Sequence, residues 1–97
     1  MKKLTPQEIK TAIADLEGWT YHDNFIDKTF LFNDFIEAFG FLGKVALISE
    51  KLDHHPDWSG VYNEVILRLS THDAGGVTQK DITFAEMAER YGNAAAE

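Results

Sequence analysis

The apolar positions along the chain switch between two spacings. Ile9, Ile13 and Leu16 recur every three to four residues, the spacing of one helix face. Thr5-Pro6-Gln7-Glu8 opens this element: Thr5 can cap a helix, Pro6 suits the first helical position and Glu8 completes a capping box. Gly18 is the expected stop. Trp19 to His22 is short and aromatic, and Asp23-Asn24 is a turn pair. From Phe25 to Phe32 the spacing falls to two, with Ile26, Lys28, Phe30 and Phe32 on one parity. These segments predict a β-hairpin with a mainly apolar face, on which Lys28 packs its stem and sends its amine to water.

Asn33 or Asp34 can cap the next helix. Phe35, Phe39, Leu42, Val45 or Ala46, Ser49 and Leu52 trace one stripe along it, over about five turns. Phe41 and Ile48 lie off that stripe. Scattered surface hydrophobes are common. A long helix in a small domain, however, has little to cover two apolar faces, so these two residues are read as a second surface that meets another subunit. Pro56 ends the helix and pushes His55 towards extended backbone. Trp58 to Tyr62 is a candidate strand, with Asn63-Glu64 near its turn. Val65, Leu67, Leu69 and Thr71 then alternate with Ile66, Arg68, Ser70 and His72.

Asp73 to Val77 forms a loop marked by Gly75-Gly76, and Thr78 caps a last helix with Asp81 at the capping-box position. Phe84, Met87, Ala88 and Tyr91 are its expected buried stripe, Gly92-Asn93 its expected end, and Ala94 to Glu97 a frayed tail. The order α-β-β-α-β-β-α with hairpin-linked strands predicts an α+β fold of two layers. A four-stranded antiparallel sheet carries the helices on one face, in a single domain over residues 1–97.

Composition narrows the function. The 97 residues are 44% hydrophobic and 26% charged, which is globular rather than disordered. Nine basic against sixteen acidic residues leave a net charge of −7, which argues against nucleic acid or an anionic membrane as partner. A core this small gains from self-association. The chain has no cysteine, which removes disulfides, thiolate nucleophiles and Cys-based metal sites and suits a reducing compartment. Met1 to Thr20 holds no apolar run of signal-peptide length, and no stretch has the length of a membrane span. The expected setting is the cytoplasm.

Three of the four histidines fall between positions 54 and 72, at the ends of elements where sites collect. Glu50 precedes His54 by four residues, so both project from one helix face, where the carboxylate can fix the tautomer of His54. Two readings stand at this point. Glu50 and His54 form an exposed helical pair and His55 and His72 are loop-boundary polar residues, or the three imidazoles form an acid–base site. His22, beside a turn without a partner in sequence, is read as surface. Three imidazoles can hold zinc, but adjacent helical residues point about 100° apart, and the chain lacks a His-Glu-x-x-His motif. No Gly-x-Ser-x-Gly elbow surrounds Ser49, Ser59 or Ser70, and Gly75-Gly76 is not a phosphate loop. Trp58 and Tyr62 can wall a flat ligand or pack in the core, and for Tyr62 core packing is the expectation.

The run Glu50, three residues, His54-His55-Pro56, five residues, Tyr62, nine residues, His72, eight residues, Asp81 resembles the signature of the pterin-4a-carbinolamine dehydratases. The family is also called dimerisation cofactor of a homeodomain transcription factor. The runs Glu50 to Trp58 and Leu69 to His72 are similar to it as well, and the element order extends the resemblance over nearly the whole chain. The resemblance implies loss of water from a 4a-hydroxytetrahydropterin to give a quinonoid dihydropterin. That reaction recycles tetrahydrobiopterin after aromatic amino acid hydroxylases have used it. It implies His54, His55 and His72 as catalytic residues, with His54 and His72 the acid–base pair and His55 mainly binding and orienting the pterin. Glu50 would support His54, and Asp81 the site near His72. Trp58 would wall the pocket, and the backbone of Ser70, Thr71 and His72 would bind the pyrimidine edge. Neither metal nor cofactor is implied, since the pterin is the substrate. The implied assembly is a homodimer or homotetramer. An aromatic amino acid hydroxylase is an implied partner. So is a transcription factor, because animal members are coactivators through the long helix. Some bacterial relatives act in enzyme assembly and have lost the active-site residues. Here the histidine trio is intact.

Overall fold

A computed structural model describes the backbone of residues 1–96 and the side chains of residues 1–92. Along the chain lie α1 (Pro6–Ile13), β1 (Thr20–His22), β2 (Phe25–Leu31), α2 (Phe35–Leu52), β3 (Asp57–Val61), β4 (Glu64–Leu69), a 3-10 turn (His72–Ala74) and α3 (Gln79–Ala96). All strand pairs are antiparallel, in the order β1-β2-β4-β3, with the helices on one face as the pattern predicts.

The Thr5 hydroxyl accepts the Glu8 N–H, and the Glu8 carboxylate accepts the Thr5 N–H at 2.8 Å. That backbone bond holds the Glu8 carboxyl below its ordinary pKa of 4.5. The support it gives α1 is therefore complete above the ordinary value and is lost as pH falls through the lowered one. α1 closes at Ile13, short of the expected stop. Tighter turns, from Leu16 N–H to Ile13 O and from Trp19 N–H to Leu16 O, then lead to Gly18 at φ 87°.

On β2, Ile26 and Phe30 are buried opposite Leu69 and Val65 of β4. Lys28 shares their face, and its amine is engaged by protein groups. Nζ lies 2.6 Å from Glu89 Oε2 on α3 and 2.8 Å from Glu17 O. Trp19 Nε1 donates to the same Glu89 oxygen at 3.1 Å. A carboxylate supplied from a distant helix holds the cation inside.

The structure keeps part of the expected α2 stripe, with Val45 and Ser49 buried and Leu42 and Leu52 packed against the core, but rotates the buried face at the helix start. Ala38, Phe41, Val45, Ile48 and Ser49 are buried, whereas Phe35 and Phe39 are 53% and 62% exposed. The Phe41 ring stands 4.6 Å from that of Phe30 and 5.2 Å from that of Phe32. Phe41 and Ile48 lie seven residues apart, also a helical spacing, so periodicity alone does not orient this helix. Its wedge between the sheet and α3 does. Phe41 and Ile48 are thus core, and the apolar residues left facing outward are Phe35, Ile36, Phe39 and Leu47.

α3 buries Ile82, Phe84, Ala85 and Ala88, with Met87 and Tyr91 packed against them. It runs through Gly92-Asn93 rather than ending there. Gly92 serves close packing: a Cβ at that position would come within 2.7 Å of the Phe30 ring. The side chains of the expected tail, and all of Glu97, lie outside the described residues. At the β3–β4 turn Tyr62 takes φ 53° and is exposed, so its expected core role is not met. A residue in left-handed backbone at a two-residue turn directs its side chain away from the sheet's packed face.

The rotated face of α2 is testable by urea denaturation. Phe41→Ala should lose about 3–5 kcal/mol of unfolding free energy, and Phe39→Ala less than about 0.5 kcal/mol.

Candidate active site

The end of α2 decides where the histidines go. Asp53 adopts left-handed backbone, φ 49° and ψ 49°, and its N–H bonds Glu50 O at 3.4 Å. The His54 N–H reaches back to Ser49 O at 3.0 Å, completing a Schellman-type closure. His54 therefore lies beyond the last helical turn, and the four-residue geometry expected with Glu50 is lost. Glu50 instead meets His55, Oε2 to Nε2 at 2.8 Å, with both side chains exposed. Support of His54 by Glu50 is corrected on this ground.

His54 turns inward. Its side chain is 10% exposed, and Nε2 lies 2.5 Å from Asp81 Oδ1. Asp81 has no exposed surface. Its Oδ2 accepts the Thr71 hydroxyl at 2.9 Å and the Thr78 N–H at 2.8 Å, the second being the predicted capping contact. The Thr71 and Thr78 hydroxyl oxygens are 2.7 Å apart. Phe84 stands edge-on to the His54 ring, 6.4 Å between centroids, and closes its apolar side. Asp81 thus bonds His54 itself. Its expected support near His72 is indirect, through Thr71.

His72 opens the 3-10 turn and is exposed. The loop behind it closes on Thr71. The Thr71 N–H bonds Gly76 O at 2.8 Å, and its carbonyl accepts the N–H of Ala74 and of Gly75, each at 3.0 Å. Gly75, at φ 74°, lets the chain double back. The Thr71 backbone, expected to meet a substrate, is engaged inside its own loop. Of the expected three-residue binding edge, Ser70 and the His72 N–H remain.

A cleft of about 280 Å³ separates α2 from β3 and is lined by Ser49, Glu50, His55, Pro56 and Trp58 over Leu42 and Val45. It is near the lower limit for small-ligand pockets, about 300 Å³. Trp58 pairs with Leu67 in the sheet and is 59% exposed, so its ring forms a wall rather than core. Ser49 is buried, and its hydroxyl donates to Val45 O at 2.8 Å. His22 stays on the surface, as expected, 3.1 Å from Asp27 and stacked on Phe25. Among the described residues, no three His, Asp or Glu side chains converge as a metal ion would require. No described helix is long and apolar enough to cross a membrane.

The structure therefore collects Glu50, His55 and Trp58 at the cleft, and His54 and Asp81 in a buried network. Ser70 and His72 lie on the segment that leaves that network. Sequence reasoning missed the two threonine hydroxyls. The spacing of Thr78 and Asp81 pointed to a cap, but nothing in it shows the carboxylate reaching across 27 residues to His54.

Residues 2–91 match the family model described as pterin 4 alpha carbinolamine dehydratase. The chain belongs to this family. A protein of Prochlorococcus marinus, strain NATL2A, provisionally named pterin-4-alpha-carbinolamine dehydratase, is 53% identical over 86 residues, which cover 89% of this chain and 90% of that one. A Sulfurisphaera tokodaii protein with the same provisional name is 50% identical over 86 residues, covering 89% and 92%. The crystal structure of a transcriptional coactivator/pterin dehydratase from Brucella melitensis superposes with a TM-score of 0.86 at 44% identity, over 99% of this chain and 100% of that one. A pterin dehydratase-like protein identified as a RuBisCO assembly factor in the alpha-carboxysome shares the fold alone. Its TM-score is 0.69 at 19% identity, over 79% of this chain and 92% of that one. Membership of the family rests on both sequence and fold.

Within this site the two carboxylates should differ sharply. Asp81→Ala leaves buried donors without an acceptor and should cost about 3–5 kcal/mol of stability. Glu50→Ala breaks an exposed pair and should cost less than about 1 kcal/mol. Thermal or urea melts of the two variants check this.

Proposed function

We propose that the protein is a dehydratase acting on 4a-hydroxytetrahydropterin, releasing water and quinonoid dihydropterin, in the recycling of tetrahydrobiopterin. The observation that carries this reading is the bond of His54 to a buried Asp81 whose second oxygen holds Thr71, the residue before His72. The anion thereby holds the His54 ring and, through Thr71, the chain that leads to His72. Imidazole is the side chain whose ordinary titration lies nearest neutrality, so it can both give and take a proton.

The chemistry needs a proton given and a proton taken. The C4a hydroxyl is a poor leaving group until it gains a proton. The N5 lone pair then forms the C4a–N5 double bond as the C–O bond breaks and water departs. One proton leaves a ring nitrogen, so the substrate gives one water and one dihydropterin with no net change in protons. His54 and His72 are the acid–base pair in this reading. His55, steadied by Glu50, binds and orients the bicycle at the cleft. Trp58 supplies a flat wall, and Ser70 with the His72 N–H meets the pyrimidine edge. Each step uses acid–base groups of the chain and calls on neither metal nor redox cofactor.

A second reading is favoured by a separate observation. Ile36 and Leu47 of α2 are 80% and 73% exposed, on the face that also carries Phe39. Such a face suits a protein partner or another copy of the chain. Ile36→Glu with Leu47→Glu should then lower the sedimentation coefficient to that of the monomer. An unchanged coefficient removes this face from the assembly.

The dehydratase reading is tested by following freshly generated 4a-hydroxytetrahydropterin in the presence of chelator. The wild type should accelerate dehydration, and His54→Ala should lose about 10²–10⁴-fold of that acceleration. A wild-type rate equal to the uncatalysed one would sink the proposal.

A further inference from the structure

With Asp81 ionised, the hydrogens of its network can be placed in only one order. An ionised carboxylate accepts and does not donate. The Thr71 hydroxyl has one proton, and Asp81 Oδ2 at 2.9 Å takes it. The contact of 2.7 Å between the two hydroxyls must then be donated by Thr78. The Thr78 oxygen is in turn free to accept the Lys80 N–H, 3.3 Å away. The Thr78 N–H donates to Oδ2 as well. Every hydrogen in the chain points towards Asp81. Its Oδ1 faces His54 Nε2, which must carry a hydrogen to bond there. Aligned hydrogen bonds of this kind reinforce one another in a buried setting.

We infer that Thr71 is a positioning residue that holds His54 in the Nε2–H tautomer through Asp81, leaving Nδ1 as the nitrogen that exchanges the proton. The neutral ring has one donor and one acceptor nitrogen, so fixing the first fixes the second. Nδ1 has no partner among the described residues, and no buried side-chain nitrogen or oxygen there lacks one, so Nδ1 keeps contact with the outside. Thr71 also fixes the backbone from which the second imidazole projects. Its backbone carbonyl and N–H close the loop that begins at His72. One residue therefore ties the tautomer of His54 to the placement of His72. The family resemblance implies only a backbone contact of Thr71 with substrate. The structure engages that backbone in the loop and puts the hydroxyl to this other use.

The kinetic part of this inference rests on the dehydratase reading, while the tautomer part does not. Long-range ¹H–¹⁵N spectra of the imidazole rings should show wild-type His54 protonated at Nε2 and bare at Nδ1 in its neutral form. Thr71→Val keeps the shape and removes the hydroxyl. It should give a mixture of His54 tautomers and lower kcat roughly 10–100-fold, the scale known for partners that orient a metal-ligating imidazole. KM should stay within about twofold, since no substrate contact is lost. Thr71→Ser restores the hydroxyl and should recover a single tautomer and most of the rate. A wild-type ring protonated at Nδ1 overturns the inference, even if Thr71→Val fails to fold. So does a Thr71→Val protein with an unchanged single tautomer. If the wild type shows no dehydratase activity but the tautomers behave as stated, the positioning role stands and the substrate assignment falls.

Discussion

A carboxylate without exposed surface is tolerated only where donors replace its lost water. Asp81 finds them in the Thr71 hydroxyl, the Thr78 backbone and the His54 ring. These come from the segment after β4, the start of α3 and the chain just past α2. Removing water from an anion costs several kcal/mol, so the three segments are held to the positions that satisfy it. The interaction that makes the site is thus also the one that fixes the junction of two helices and the sheet. Stability and geometry cannot be tuned separately there.

How much of this was legible depends on whether the deciding contact is local. The element order, the capping boxes at Thr5 and Thr78 and the antiparallel hairpins all follow from spacings of a few residues, and the structure keeps them. The errors came where a distant partner decides. The orientation of α2 depends on Phe30 and Phe32 of the sheet, which pack on Phe41, a residue the expected stripe left out. Lys28 is held inside by Glu89, 61 residues away. The Glu50 and His54 pairing failed for a smaller reason. Asp53 turns left-handed one residue before His54, and a helical spacing rule stops at the last helical residue. Asp is a less common choice than Gly at such a cap, so nothing at that position announced the turn.

The structure gathers the candidate residues into a cleft and a buried network, with partners that a spaced signature does not record. The geometry redistributes the partners: Asp81 to His54, Glu50 to His55, and the Thr71 backbone to its own loop. The shared fold of a RuBisCO assembly factor is a reminder that this architecture does not by itself imply a reaction. The case for catalysis stands on the imidazoles and their anion, not on the sheet and helices beneath them.

Gly92 gives α3 a mechanical meaning. It lies eleven residues beyond Asp81 on one continuous helix, a rod of about 16 Å at 1.5 Å per residue. At one end the rod is seated on the Phe30 ring with no room for a methyl group. At the other it delivers the carboxylate to His54. A rigid strut seated at both ends transmits displacement rather than absorbing it. The allowance at the chemical end is only a few tenths of an ångström, the width of the hydrogen-bond distance range. The depth to which an aromatic ring and a glycine interlock at the far end of the domain therefore acts as a gauge for the alignment of an imidazole that neither of them touches.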